Sequence, residues 1–216
     1  MRFVPLVPSE IEPGPWRQSQ AVELAWQGRA HAAWTGLPVH AVHLPETPWS
    51  AELGEAAMAV LGSGLDPDFL VLSASAPDQR LASSQFLTVL EGLLELTQGR
   101  GVKLALRPAP GGTLALVRLL REARGEAVGF CWDRSADLEA ISDRLFCAVG
   151  GTEDDFSGLQ ALGYRWNVAV PASDPAAARA ELEALGRAWP SVYFPSGLMA
   201  APDPSVTLGR HLEDNH

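Results

Sequence analysis

Residues 101–110 read GVKLALRPAP. Gly101 interrupts the helical pattern before it, and Val102 to Leu106 is an apolar run too short for a helix and bounded by turn residues. Such a run is a buried strand. It delivers Arg107, a permanently charged side chain, to its C-terminal end before a Pro-rich turn. Working outward, further runs of this kind recur at Phe3–Val7, Val39–Leu44, Phe69–Ala74, Ala127–Trp132, Leu145–Val149 and Trp166–Val170. Ala21–Trp26 is another strand candidate, although its short pattern also allows a helix.

Helical segments separate them. Ala51–Leu61 follows Ser50 as a cap, and Leu81–Gln98 carries apolar residues at three- and four-residue spacings. Thr113 heads a helix to Ala123, closed by Gly125, and QGRAHAAWTG (27–36) has helical composition. Ser135 is positioned to cap the short helix containing Leu138 and Ile141. Phe156–Leu162 is helical, and Asp174 caps a helix to Trp189 with Pro175 in its first turn. Strands this apolar, each followed by about one helix, belong to a parallel sheet covered on both faces. The expected fold is therefore α/β, a single (β/α)8 TIM barrel over residues 1–190; a doubly wound open sheet is the alternative. Residues 191–216 form a C-terminal tail with one further strand candidate, Ser191–Phe194, so either this segment or Phe3–Val7 closes the barrel.

The totals exclude several functions. The chain has 216 residues, 47% of them hydrophobic, with a net charge of −10. That is ample for a core and argues against a nucleic-acid or anionic-membrane surface. No apolar run reaches a membrane span, and the N-terminus lacks a signal-peptide pattern. Cys131 and Cys147 are two core thiols and not a disulfide framework, which fits a cytoplasmic protein. No P-loop, Rossmann fingerprint, zincin motif or nucleophile elbow occurs, and no cofactor is expected. The Gly150-Gly151-Thr152 turn has the form of a phosphate cradle, but Glu153, Asp154 and Asp155 crowd it with negative charge, favouring a plain loop.

The stretches GVKLALRPAP, EAVGFCWDRSAD (126–137), DRLFCAVGG (143–151) and TEDDFSGLQALGYRWNVAVP (152–171) resemble the second half of the xylose-isomerase-like TIM barrels. That superfamily includes sugar-phosphate isomerases and epimerases and metal-cluster apurinic endonucleases. The resemblance covers about residues 20–185 and lies in the order of elements more than in single residues. It implies a divalent cation held by Glu, Asp, His and Glu at the C-terminal strand ends, polarising the oxygens of a sugar. Residue by residue, the first glutamate position holds Arg107, and the aspartate is present as Asp133. The histidine three residues on is Ala136, the next strand ends Phe146-Cys147-Ala148-Val149-Gly150-Gly151, and Pro171 stands at the last glutamate.

The expectation is a degenerate member with an eroded metal site, without the family's metal-dependent catalysis, binding a small sugar-like or anionic ligand. Arg107 either clamps that ligand or neutralises Asp133 in place of the lost cation. Glu23 and Trp132 are further candidate ligand contacts, the latter through ring stacking. Were the barrel an active isomerase or epimerase, Asp133 would be its base and His43 its acid or base, without metal or with an atypical site. A third reading is a protein-interaction scaffold built on the tail around Tyr193, Phe194 and Leu198. Homo-oligomers are compatible with any of these.

Overall fold

Eight parallel strands close on themselves in chain order, each hydrogen-bonded to the next and the last to the first. They are β1 (Arg2–Pro8), β2 (Val22–Ala25), β3 (Val39–His43), β4 (Phe69–Ala74), β5 (Lys103–Pro108), β6 (Val128–Trp132), β7 (Leu145–Val149) and β8 (Asn167–Pro171). The computed structural model describes residues 1–17, 19–74, 80–121, 126–172 and 174–189, with 80–83 described by backbone alone. The (β/α)8 expectation holds. The N-terminal run closes the barrel: Arg2 to Leu6 of β1 pair with Asn167 to Pro171 of β8. Ser191–Phe194, the remaining tail and Gly125 lie outside the described residues.

Six α-helices are described: α1 (Ala51–Gly62), α2 (Arg80–Gln98), α3 (Thr113–Leu120), α4 (Leu138–Ile141), α5 (Glu153–Ala161) and α6 (Pro175–Ala188). Ser50 accepts a hydrogen bond from the Glu52 amide, and Asp174 from those of Ala176 and Ala177, so both expected caps are present. Two expectations fail locally. The 27–36 segment forms only a single 3-10 turn, Ala32–Trp34, flanked by Gly28 and Gly36 with positive φ. Positive φ breaks the repeating right-handed turn that a longer helix needs. The short helix α4 is capped by Asp137 and not by Ser135, whose hydroxyl is engaged elsewhere. In addition, α5 begins at Glu153 because Thr152 and Asp155 form a reciprocal capping box.

Among the described residues no α-helix lies in the β1–β2 or β2–β3 connection, although α6 packs against β1. Tryptophans cover that side instead. Trp34 is fully buried and donates its indole N–H to the Ile11 carbonyl at 2.9 Å, while Trp16 and Trp26 join the same core cluster. Large rings give the buried apolar area a helix would supply, at a few positions.

Inside the barrel the alternation of each strand leaves one residue in two facing the axis. Ala41, Val71, Ala105, Cys131 and Cys147 make a separate, small-residue cluster there. At the N-terminal end Phe69 and Phe146 pack with ring centroids 5.5 Å apart, and the Lys103 ammonium lies 5.5 Å from the Phe146 ring. Gly129 makes this plug fit: a Cβ there would sit 2.6 Å from the Phe146 ring. One end of the barrel is thus sealed by aromatic rings, leaving the C-terminal end for polar side chains.

Candidate functional site

The same alternation that buries Ala41, Ala105 and Cys131 carries polar residues to the C-terminal mouth. Glu23 lies level with Ala41 in the β2–β3 pairing, His43 is two residues beyond Ala41, and Arg107 two beyond Ala105. Asp133 follows Cys131 by the same step, just past the end of β6. The structure joins these four into one row. The Glu23 carboxylate meets His43 Nε2 at 2.6 Å, and Arg107 Nη2 meets His43 Nδ1 at 2.5 Å. On the other side, Arg107 Nε lies 3.6 Å from Asp133 Oδ2.

The chemistry of these groups fixes the hydrogen on His43. A guanidinium only donates, so Nδ1 presents a lone pair to it. The hydrogen then sits on Nε2, which donates to Glu23. Glu23 and His43 are buried, whereas Arg107 and Asp133 are about a quarter exposed, with side-chain values of 27% and 28%. The row therefore runs from the barrel interior outward to solvent. Two of its atoms are buried without a hydrogen bond: Glu23 Oε1 and Arg107 Nε. Asp133 Oδ1 is held by the Ser135 amide at 2.9 Å and by the Ser135 hydroxyl, which also contacts the Pro108 carbonyl.

The sequence-derived site residues divide accordingly. Glu23, His43, Arg107 and Asp133 meet. Glu23 is a strand residue, which removes the helix alternative for that segment. Trp132 is on the opposite parity: its ring belongs to the core shared with the helices, and its indole N–H donates to the Ala136 carbonyl at 3.1 Å. Both partners expected of Arg107 were an anion or Asp133, yet its shortest contact is His43. Ser73, small and on the intervening strand, leaves the inner face open between them. Ser135, expected as a helix cap, instead holds Asp133; its position two after the aspartate, as in an Asx turn, is the signal for that role.

The cysteines stand behind this row as thiols. Burial pushes the Cys131 thiol up to about 12, against the opposing pull of Arg107. Burial also raises Cys147 well above its ordinary value. Both stay protonated near neutrality, which leaves them packing residues.

A second charged cluster lies at the next strand end. Asp155 takes two hydrogen bonds from Arg134 Nε, at 3.0 and 2.9 Å, and one each at 2.9 Å from the Gly151 and Thr152 amides. The Gly151 and Thr152 amides are thus filled by the protein's own carboxylate, and the Gly150 amide donates to the Ala169 carbonyl at 3.1 Å. The turn is a loop locked from within.

Among the described residues no group of three or more His, Cys, Asp and Glu side chains converges as a cation site requires. Among them, too, no helix is long and apolar enough to cross a membrane.

Solved structures that resemble the chain share its barrel. A D-tagatose 3-epimerase-like protein superposes with a TM-score of 0.65 at 14% identity, covering 87% of this chain and 96% of its own. The apo 3-keto-D-glucoside 4-epimerase of E. coli gives 0.59 at 17% identity, over 87% of this chain and 99% of its own. A xylose isomerase-like TIM barrel protein from Mycobacterium smegmatis, solved with magnesium, gives 0.56 at 11% identity, over 86% and 97%. No family model matches the chain. No curated protein matches it either. What the chain shares with them is the fold, a closed eight-stranded parallel TIM barrel.

Proposed function

We propose that the C-terminal mouth binds a small sugar-like or anionic molecule, in a barrel of the sugar isomerase and epimerase kind whose metal site has been replaced by an arginine. The observation that carries this reading is the placement of Arg107 between His43 and Asp133. A divalent cation needs carboxylate oxygens converging on one point. Here the side chain beside Asp133 is itself a cation, and the other acidic residue of the row, Glu23, is spent on His43. The residues present do not fit the family's metal.

The orphaned donor on Arg107 and the orphaned acceptor on Glu23 are what a bound polyhydroxy compound would satisfy. Buried polar groups without partners cost stability unless a ligand or water completes them. The neighbours named as sugar epimerases support a sugar as the ligand class. A carboxylate or phosphate is the anionic form that a guanidinium also recognises.

The test has two parts. Protein purified without chelator is assayed for metal, and its melting temperature is followed with free sugars and sugar phosphates, with and without chelator. The expected result is substoichiometric metal and stabilisation by one of these compounds that survives the chelator. Stoichiometric, tightly held metal would overturn the replacement of the site, and an unchanged melting temperature with every compound would overturn the binding role.

A further inference from the structure

Resting on the reading of the mouth as a binding site, we propose that the row is a pH-operated gate for anions. Protonation of His43 hands Arg107 from the imidazole to the mouth, so an anionic group binds more tightly as pH falls.

Both ring nitrogens of His43 are occupied. Nε2–H donates to Glu23 at 2.6 Å, and Nδ1 accepts from Arg107 Nη2 at 2.5 Å. A second proton on the ring therefore goes to Nδ1, the atom that Arg107 covers. It turns an acceptor into a donor, and two donors of like charge cannot share that contact. The imidazolium keeps its bond to the buried Glu23 carboxylate, now as an ion pair, while the guanidinium is displaced. Glu23 Oε1 offers the proton no alternative seat, because it has no partner to which a carboxyl O–H would donate.

A place for the displaced side chain is built in. Arg107 Nε is buried without a hydrogen bond and lies 3.6 Å from Asp133 Oδ2, too far for one. Asp133 Oδ1 is held by the Ser135 amide and hydroxyl, which fixes the carboxylate beside the arginine. Arg107 and Asp133 are each about a quarter exposed, and Ser73 on the intervening β4 is small. Arg107 is thus suspended between two partners and bonded to one. Released by His43, it closes on Asp133 with one edge of the guanidinium and turns its other donors to the mouth. A side chain with two such positions is the bistable element that a histidine switch needs.

Charge works in the same direction. With His43 neutral the row carries two carboxylates against one guanidinium, and with His43 charged the two signs balance, which favours an anion. The remaining titratable groups nearby leave this balance alone. Cys131, Cys147 and Tyr164 lie within electrostatic reach of Glu23, and burial raises all three, so they stay protonated. Asp68, which acts on Cys147, is bonded to His40. From β4 the row meets only the uncharged Ser73 among the described residues.

Sulfate is the probe, because its charge is constant between about pH 5 and 8, the range in which histidine side chains change theirs. Its binding to the full chain is measured by calorimetry at both limits for the wild type, His43→Gln and Arg107→Met. The wild type should bind sulfate about 5- to 150-fold more tightly at the acid limit. His43→Gln has no charge to gain and should lose most of that ratio, keeping only the background that the other histidines and carboxyls impose. Arg107→Met should lose the site at both limits. NMR of the ligand-free wild type gives a reading that depends on no variant: the Arg107 Nε–H signal should move with the same midpoint as the His43 ring nitrogens. A wild-type ratio near one, a ratio matched by His43→Gln, or an Arg107 signal indifferent to His43 would each overturn the gate and leave the binding role standing. Absence of sulfate binding at every pH also sinks the gate; the binding role falls with it only where the sugars and sugar phosphates of the preceding test fail as well.

Discussion

Two charged clusters lie near each other at the C-terminal end of the barrel, and they are built on opposite principles. Around Asp155 every acceptor is used: Arg134, the Gly151 and Thr152 amides and the Thr152 capping box converge on one carboxylate. Along Glu23–His43–Arg107–Asp133 the pairs are as close, yet Glu23 Oε1 and Arg107 Nε are left without hydrogen bonds. A saturated cluster has nothing to offer a ligand, and its valences are spent on holding a loop. An unsaturated one retains a cost that a bound molecule can remove. On the proposed reading, the difference separates an ion pair made for structure from one available to a ligand, although both include an arginine and an aspartate.

The largest effect that tests this contrast is on stability. Asp155→Ala removes one half of the capping box and leaves two turn amides without their acceptor, a loss of about 2–4 kcal/mol. It should appear as a lower midpoint in urea unfolding with unchanged slope. A change smaller than that of an ordinary surface substitution would erase the distinction.

Acid should act through the same residue. Burial works to raise the Asp155 carboxyl, but the bonds from Arg134, Gly151 and Thr152 outweigh it and hold the carboxyl below its ordinary value. A depressed native value means stabilisation that is full above the unfolded carboxylate range and lost as pH falls through the native one. Melting curves from pH 6 downward should show a loss in the wild type that is smaller in Asp155→Asn. Equal slopes in the two proteins would remove Asp155 as the cause.

The open row should respond in the reverse manner. Glu23→Gln keeps an acceptor for His43 Nε2 and is expected to change stability by less than about 1 kcal/mol. Arg107→Met breaks a partly exposed pair with Asp133 that is worth about 0–1 kcal/mol. Its melting temperature should stay near that of the wild type while stabilisation by sugars disappears. A large loss of stability with ligand response intact would reclassify Arg107 as a structural counter-ion.

The smallest effect concerns the thiols behind the row. Because burial raises both cysteines, they should resist iodoacetamide in the native protein and react on unfolding, as mass spectrometry would show. Fast labelling of the folded chain would mean that the inner face is open to solvent.

Much of this was legible before any coordinates. Short apolar runs such as FLVLSA and LFCAV became strands with the expected bounds, because a stretch buried on both faces cannot disguise itself. Ser50 and Asp174 announced helix starts, since capping is a local bond between neighbours. Where glycine conformation or a competing partner intervened, as at Gly28 or Ser135, the local rule lost to its surroundings. Trp132 illustrates a different failure. Its residue type suits ring stacking, but its strand parity sends it to the helix layer.

What the sequence determined by itself is therefore the barrel and residues delivered to its mouth, including Arg107. These follow from periodicity and from interactions a few residues long. Only the tertiary structure decided that Arg107 reaches across β4 to a histidine 64 residues away, or that the histidine leans on a glutamate 20 residues before it. Side chains on a closed barrel meet according to register, strand tilt and the size of the residue between them, and none of these is written in any single stretch of chain.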